Sequence, residues 1–527
     1  MPPAEEPSTG GGVTASEAPE TAPALTRPWS RFRRPGIGGL VIAAALIGVL
    51  VVICRRVGDP DFYWHLATGQ WMLAHGTLPT HDLFTYTVSG HSWADQEWGS
   101  EILLALVFRA GSFLAVSLVY TAVIWAGMWL IWRRIALERV PPLIAALSLL
   151  VGAAAGVAVW GPRSQMISFA LLGLTLYWIE AYLRDRSHRL FWLPAVMVIW
   201  ANLHGGFVYG LFFVGLAAVT ESARWAFTGE KVATRRRALG LWVVLGASFL
   251  TALINPHTIS VYLIPLHIQF SSAQQSFIAE WKSPNFHSPE EWGLGLMLLF
   301  TVWAMAARRQ RLWDVCVALA SMVLALAAVR NGAIAVAAVV PVIAWGLGGG
   351  WTASAWQPRF AAYVDRRRQD LTVLATFALV LSVAVTGAVV VDTLQGQAAS
   401  TSANFPEGAA DWLLAHPDVG THMFNAYDWG GYLAYRFSPA SNGYVPLTDR
   451  RVFIYGEATL MGNQLVQQIS DVENAEPDWQ QILAEHQIDY VIERPDSSLS
   501  MALSVDPQWT QVHFPDDGDG AVIFVKK

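Results

Sequence analysis

Two acids and a histidine stand close together in the stretch VGDPDFYWHLATG, residues 57–69. Asp61, His65 and Thr68 are spaced i, i+4, i+7, which places them on one face of a helix. A carboxylate and an imidazole arranged in this way can bind a metal, orient a phosphate or move a proton. The same spacing also suits a solvated pair. Asp59-Pro60 reads as a helix start, because Asp is a favoured N-cap and Pro a favoured first helical residue. On that reading Asp59 caps the helix and Asp61 faces a site, with His65 one turn behind. Further polar groups recur along the chain: Glu97 in WADQEWGSE, Arg163 in GPRSQ, Asn202 and His204 in WANLHGGF, Glu280 in AEWKSP and Arg330 in AAVRNG. Each alone suits a cap or a snorkelling side chain. Together they put acids, arginines, histidine and asparagine at one membrane face, where arginine can clamp a lipid-linked phosphate.

Those residues need a scaffold that brings them to one face. The chain has 527 residues, of which 54% are hydrophobic and only 14% charged, where a soluble chain carries about 25% charged residues. This composition fits a polytopic membrane protein. The net charge of −6 argues against nucleic acid as a partner. Cys54 and Cys316 both lie in apolar runs, so no disulfide framework is expected. Runs long enough for a bilayer core lie at 37–54, 112–132, 143–160, 165–183, 190–202, 206–222, 239–254, 291–307, 312–329, 332–350 and 371–391. They predict about 11 transmembrane helices, of which 190–202 is the shortest and suits a broken helix. Most of the 34 Lys and Arg fall on loops that alternate onto the side of the N-terminal tail. The positive-inside rule then puts that tail in the cytoplasm.

The expected fold is a mainly α polytopic protein of the cytoplasmic membrane. Residues 1–35, rich in Pro, Gly, Ala, Ser and Thr, form a disordered cytoplasmic tail. Residues 36–391 form the transmembrane domain, with outer loops at 55–111 and 255–290. Residues 392–527 form a small extracytoplasmic α/β domain, in which HMF, RVFIY, DYVIE and AVIFV read as strands and PEGAADWLLAHP and DWQQILAEH as helices. The tryptophans of the first loop fit an interfacial belt.

An ordered set of motifs runs through the chain: DPDFYWHLATG, LPTHDLFTYT, WADQEWGSEILL, PRSQ, NLHGGF, NP, EWKSP and RN, then FNAYDWGGYLAYR, PLTDRRVFIYGE and IDYVIE. The set resembles a group of bacterial multi-spanning proteins in the GT-C glycosyltransferase superfamily, over nearly all of residues 37–527. The resemblance implies transfer of a sugar, with inversion, from a polyprenyl-phosphate carrier to a glycan, lipid or protein acceptor on the outer side of the bilayer. It implies an acidic residue just after the first span as general base or metal ligand. That residue is Asp59 if the Asp-Pro pair is the guide, and Asp61 if the acid four residues before the histidine is. Glu97 or Glu280 would supply a second carboxylate, and Arg163, His204 and Arg330 would meet the carrier phosphate, with His65 and Asn202 completing the substrate site. Asp61 and Glu280 are compatible with a divalent ion such as Mg or Mn, although no ligand spacing demands one. The first loop lacks the adjacent Asp-Glu pair of some protein mannosyltransferases. Two other readings stand beside this one. A polymerase or ligase of lipid-linked glycans would need similar outer acids and arginines. A non-enzymatic transporter or scaffold would carry polar groups at mid-depth in its spans, whereas here the charges sit mostly at helix ends.

Overall fold

The computed structural model describes residues 36–227, 231–270, 275, 278–438, 450–514 and 520–527; the expected tail at 1–35 lies outside them. Every apolar run read from the sequence falls in a helix. These are α1 (Ile37–Ile53), α3 (Trp98–Ile135), α4 (Pro142–Ala155), α5 (Gln165–Leu183), α6 (Leu193–Ala201), α7 (Phe207–Phe227), α8 (Lys231–Ala252), α10 (Trp292–Ala307), α11 (Leu312–Ala327), α12 (Gly332–Thr352) and α14 (Arg368–Gln395). Three more helices connect them: α2 (Phe62–His75), α9 (Ser260–Phe270) and α13 (Gln357–Arg366). Among the described residues, five helices are long and apolar enough to cross a membrane: Trp98–Ile135, Gln165–Leu183, Phe207–Phe227, Val329–Thr352 and Arg368–Gln395. Shorter apolar helices accompany them at Ile37–Ile53, Pro142–Ala155, Arg189–Ala201 and Leu312–Ala327. The chain is a mainly helical, multi-pass membrane protein. Helix α14 leaves Val373, Leu374, Phe377 and Val380 exposed, as a lipid-facing surface requires.

Much of the segment at 98–111, read from the sequence as loop, is helical. Helix α3 starts at Trp98, well before the apolar run at 112, and carries a break at Gly111 and Ser112, where Ser112 has φ 53°. The apolar run begins at that break, which is why the helical turns before it read as loop. At the other end of α3, Arg134 is 1% exposed. Pro341, inside α12, has no N–H to give back to the previous turn. Arg134 Nη1 donates to the carbonyl left there, Ala337 O at 3.3 Å, and to the next one, Ala338 O at 2.9 Å. Its Nη2 lies 3.6 Å from Glu180 of α5.

After α14 the chain forms a four-stranded sheet, β1 (Met423–Asn425), β2 (Tyr490–Glu493), β3 (Trp509–Val512) and β4 (Val522–Lys526), in the order β1-β2-β4-β3. β1 and β2 are parallel, with Phe424 opposite Val491; β4 runs antiparallel to both β2 and β3, with Phe524 opposite Val491 and Gln511. HMF, DYVIE and AVIFV lie in strands as expected, and β3 was not foreseen. RVFIY is not a strand of this sheet. It is a buried connector that pins the sheet to the first loop. Val452 N–H donates to Phe84 O at 3.0 Å, and Thr87 Oγ1 donates to Phe453 O at 2.6 Å. Phe453 N–H donates to Asn425 Oδ1 at 2.8 Å, and Tyr455 OH to Asp82 Oδ1 at 3.2 Å. Those bonds fix the direction of the next residues, Gly456 and Glu457, toward α2.

Candidate active site

A cavity of about 660 Å³ opens where the start of α2, the N-terminus of α3, the turns around Arg163, His204 and Glu280, and the Gly456–Glu457 connector meet. Helix α2 begins two residues later than the sequence predicts. Asp61, not Asp59, holds its N-cap position, and the Asp61 side chain caps nothing. Asp59 Oδ1 instead accepts the Asp61 N–H at 3.1 Å, closing a turn. Asp59 Oδ2 receives Arg163 Nε at 2.5 Å. Asp61 Oδ1 accepts the Trp64 indole N–H at 3.0 Å. Burial raises both acids; Asp59 reaches about 6 although Arg163 pulls the other way. For Asp61 the Trp64 hydrogen bond opposes burial but does not cancel it.

The i, i+4 pairing of Asp61 with His65 does not form. His65 Nδ1 lies 2.7 Å from Glu101 Oε1, and its Nε2 lies 3.7 Å from Glu97 Oε2. The Trp64 ring stacks on the imidazole at 3.6 Å between centroids. Thr68 turns inward and donates to Trp64 O at 2.8 Å. Asp95 fixes Glu97 by accepting its N–H at 2.9 Å. The Glu97 carboxylate accepts the Ser164 hydroxyl and faces His204 Nε2 at 3.5 Å. His204 has a defined tautomer: the Gly206 N–H can only donate, and it meets Nδ1 at 2.8 Å, so the ring proton sits on Nε2 toward Glu97. Burial lowers both imidazoles. Burial also pushes Glu97 up, but His204, His65 and Ser164 together pull it below its ordinary value.

Arg163 bridges two acids, because its Nη1 meets Glu280 as its Nε meets Asp59. Arg330 forms no salt bridge among the described residues. Its guanidinium lies 4.4 Å over the Trp281 ring, and its carbonyl accepts Gln165 Nε2 at 2.7 Å. Asp59, Asp61, His65, Glu97, Arg163, His204, Glu280 and Arg330 therefore all line one cavity. Asn202 does not. Its amide donates to Val198 O and Ile254 O at 2.7 and 2.8 Å and accepts the Trp98 indole N–H at 3.2 Å, tying three helices together beneath the site.

No family sequence model matches the chain, and no curated protein sequence does. Solved structures do match in shape. ArnT from Cupriavidus metallidurans, in the apo state, aligns at TM-score 0.50 with 14% identity, over 92% of this chain and 96% of that one. The archaeal oligosaccharyltransferase AglB from Archaeoglobus fulgidus, solved with an inhibitory peptide and a dolichol-phosphate, aligns at TM-score 0.53 with 11% identity, over 93% of this chain and 74% of that one. The chain has the GT-C fold. Within this GT-C fold the cavity also has a wall that sequence reasoning missed. Gly456 packs so closely on Asp61 that an added Cβ would lie 1.7 Å from Asp61 Oδ1. Glu457, half-buried beside it, is pushed up to about 8 by burial and then by Glu97, Asp95 and Asp61. The signal was present as a Gly-Glu pair directly after the buried run VFIY.

A divalent ion held by Asp61 and Glu280 does not fit this arrangement. Glu280 already receives Arg163, whose fixed positive charge also sits on Asp59. Among the described residues no three His, Cys, Asp or Glu side chains gather with metal-binding geometry.

Proposed function

We propose that this protein transfers a sugar from a polyprenyl-phosphate carrier to an acceptor hydroxyl at the membrane face that bears the cavity. One observation carries the reading. A single cavity holds Asp61, a half-buried carboxylate with no cation on it, and Arg330, a guanidinium with no carboxylate on it, among the described residues. The acceptor oxygen attacks the anomeric carbon as the bond to the carrier phosphate breaks. The hydroxyl proton passes to Asp61, whose proton affinity burial has raised. The phosphate leaves on its lipid, its charge met by Arg330. Attack from the side opposite the phosphate inverts the anomeric centre. Glu97, His65 and His204 form the polar floor, and Asp59, Arg163 and Glu280 the rim. The fold of AglB, a protein solved with a dolichol-phosphate, supports a carrier of this chemical class. A cavity of about 660 Å³ is the size of a small-molecule site and favours one sugar unit over a whole glycan. The basic-residue pattern supports placing the cavity and the 392–527 region outside the cytoplasm.

The test is a transfer assay in membranes with radiolabelled polyprenyl-phosphate sugars, comparing wild type with Asp61→Asn and Arg330→Ala at matched expression. Loss of about two orders of magnitude is expected in each, the scale of a general base or of one charge-stabilising donor. Undiminished transfer by Asp61→Asn removes the base assignment, and no transfer by wild type with any donor removes the function.

A further inference from the structure

We propose that Arg163 is a built-in cation that fills the position a divalent metal would otherwise take in the acid cluster of this cavity; its catalytic part rests on the transferase reading above. Three carboxylates line the cavity there, Asp59 and Asp61 from the start of α2 and Glu280 from the turn before α10, close enough to repel one another. An acid cluster of this kind, half-buried and facing a phosphate-bearing ligand, needs a countercharge. The guanidinium supplies it: Nε meets Asp59 Oδ2 at 2.5 Å and Nη1 meets Glu280 Oε1. Arg163 is held in place by its own turn. Its N–H donates to Gly161 O at 2.9 Å, and its carbonyl accepts the Met166 N–H at 3.0 Å at the start of α5.

The chemistry of the pair explains why the two cations exclude each other. Guanidinium keeps its charge at any working pH and reaches two carboxylates at once through its planar fork. A divalent ion needs the same carboxylate oxygens at about 2.0–2.6 Å, and would stand against a like charge with little water between them. Asp59, drawn toward Arg163, and Asp61, turned to Trp64, are also split in direction, so the arginine orders the acids as a metal would: it neutralises two and leaves the third free.

The experiment uses the full-length protein in detergent and reads Mn2+ binding by loss of the free-ion EPR signal, beside the transfer assay with and without EDTA. Wild type is expected to leave the Mn2+ signal unchanged and to keep its transfer rate within about twofold in EDTA. Arg163→Gln is expected to gain one Mn2+ site, which the added Asp59→Asn change removes. Stoichiometric Mn2+ on wild type that Asp59→Asn abolishes, or transfer lost in EDTA and restored by Mn2+, overturns the proposal. So does a folded Arg163→Gln protein that gains no Mn2+. If Arg163→Gln does not elute as a folded species, the wild-type arms decide. The binding arm needs no sugar donor, so it stands even where the transfer assay fails and the transferase reading falls.

Discussion

Gly456→Ala tests whether the C-terminal connector really sets the position of Asp61. The Cβ of alanine would lie 1.7 Å from Asp61 Oδ1, 2.8 Å from its Cγ and 3.0 Å from Trp64 Nε1. To reach an ordinary contact of 3.4 Å, the oxygen must retreat by about 1.7 Å. The retreat breaks the 3.0 Å bond from the Trp64 indole. A hydrogen bond to a charged group contributes about 1.5–3 kcal/mol, so the melting temperature should fall by several degrees without loss of the fold. The effect on turnover should be larger, because a misplacement of about 1 Å at a reacting group costs on the order of 100-fold. Gly430→Ala serves as the contrast. Its Cβ would meet the backbone oxygen of Ile454 at 1.9 Å, and backbone cannot swing aside as a carboxylate can, so that variant should lose stability first. The assay is sugar transfer in membranes together with a melting curve in detergent. Transfer by Gly456→Ala within about twofold of wild type, with Asp61→Asn impaired, would refute the placement of Asp61 against Gly456.

Asp59→Asn should reduce transfer by only about tenfold, less than Asp61→Asn, because Asp59 orients neighbours while Asp61 takes the proton; the reverse order in the same assay contradicts the division of roles. Glu457 has its folded value raised from 4.5 to about 8. The neutral form therefore stabilises the fold, a contribution complete below pH 4.5 and lost as pH rises through 8. Melting temperature should decline between pH 5 and 9 in wild type and much less in Glu457→Gln; parallel curves would show that the carboxyl does not titrate there. Arg134→Leu leaves the Pro341-freed Ala337 carbonyl and part of the Glu180 charge uncompensated, and should destabilise by about 3–5 kcal/mol, read as a melting shift with a wild-type KM for donor. A KM change with no melting shift would contradict a purely structural role.

The apolar runs were legible because a bilayer leaves the sequence little choice: each run from 37–54 to 371–391 is a helix. Where the backbone breaks inside a helix, the pattern misled. Gly111 and Ser112 hid the first turns of α3, and with them Glu101, which holds His65. The two acids of DPD were separated by a capping argument that favoured Asp59, yet the helix begins after Asp61, because Asp59 is drawn to an arginine more than a hundred residues away. Local propensity has no term for that ion pair. The eight lining residues could be named from their types and their recurrence at helix ends, whereas Asn202, of the same type and setting, is consumed in holding helices together. Glu457 showed only as part of a Gly-Glu pair after an apolar run, and nothing local links that pair to residue 61. RVFIY looked like a strand because burial on both sides gives the same apolar run as a central strand does.

The bonds that seat the connector on the first loop join residues 366 apart in Thr87 to Phe453, and 337 apart in Tyr86 to Met423. Every apolar helix after α2 lies between those ends. At about 5–20 residues per second of synthesis, 366 residues take roughly 20–70 s. During that interval Asp61 already sits at the membrane, but the wall carrying Gly456 and Glu457 has not been made. A chain that stops before Gly456 therefore lacks one wall of the cavity around Asp61, however completely its helices have formed.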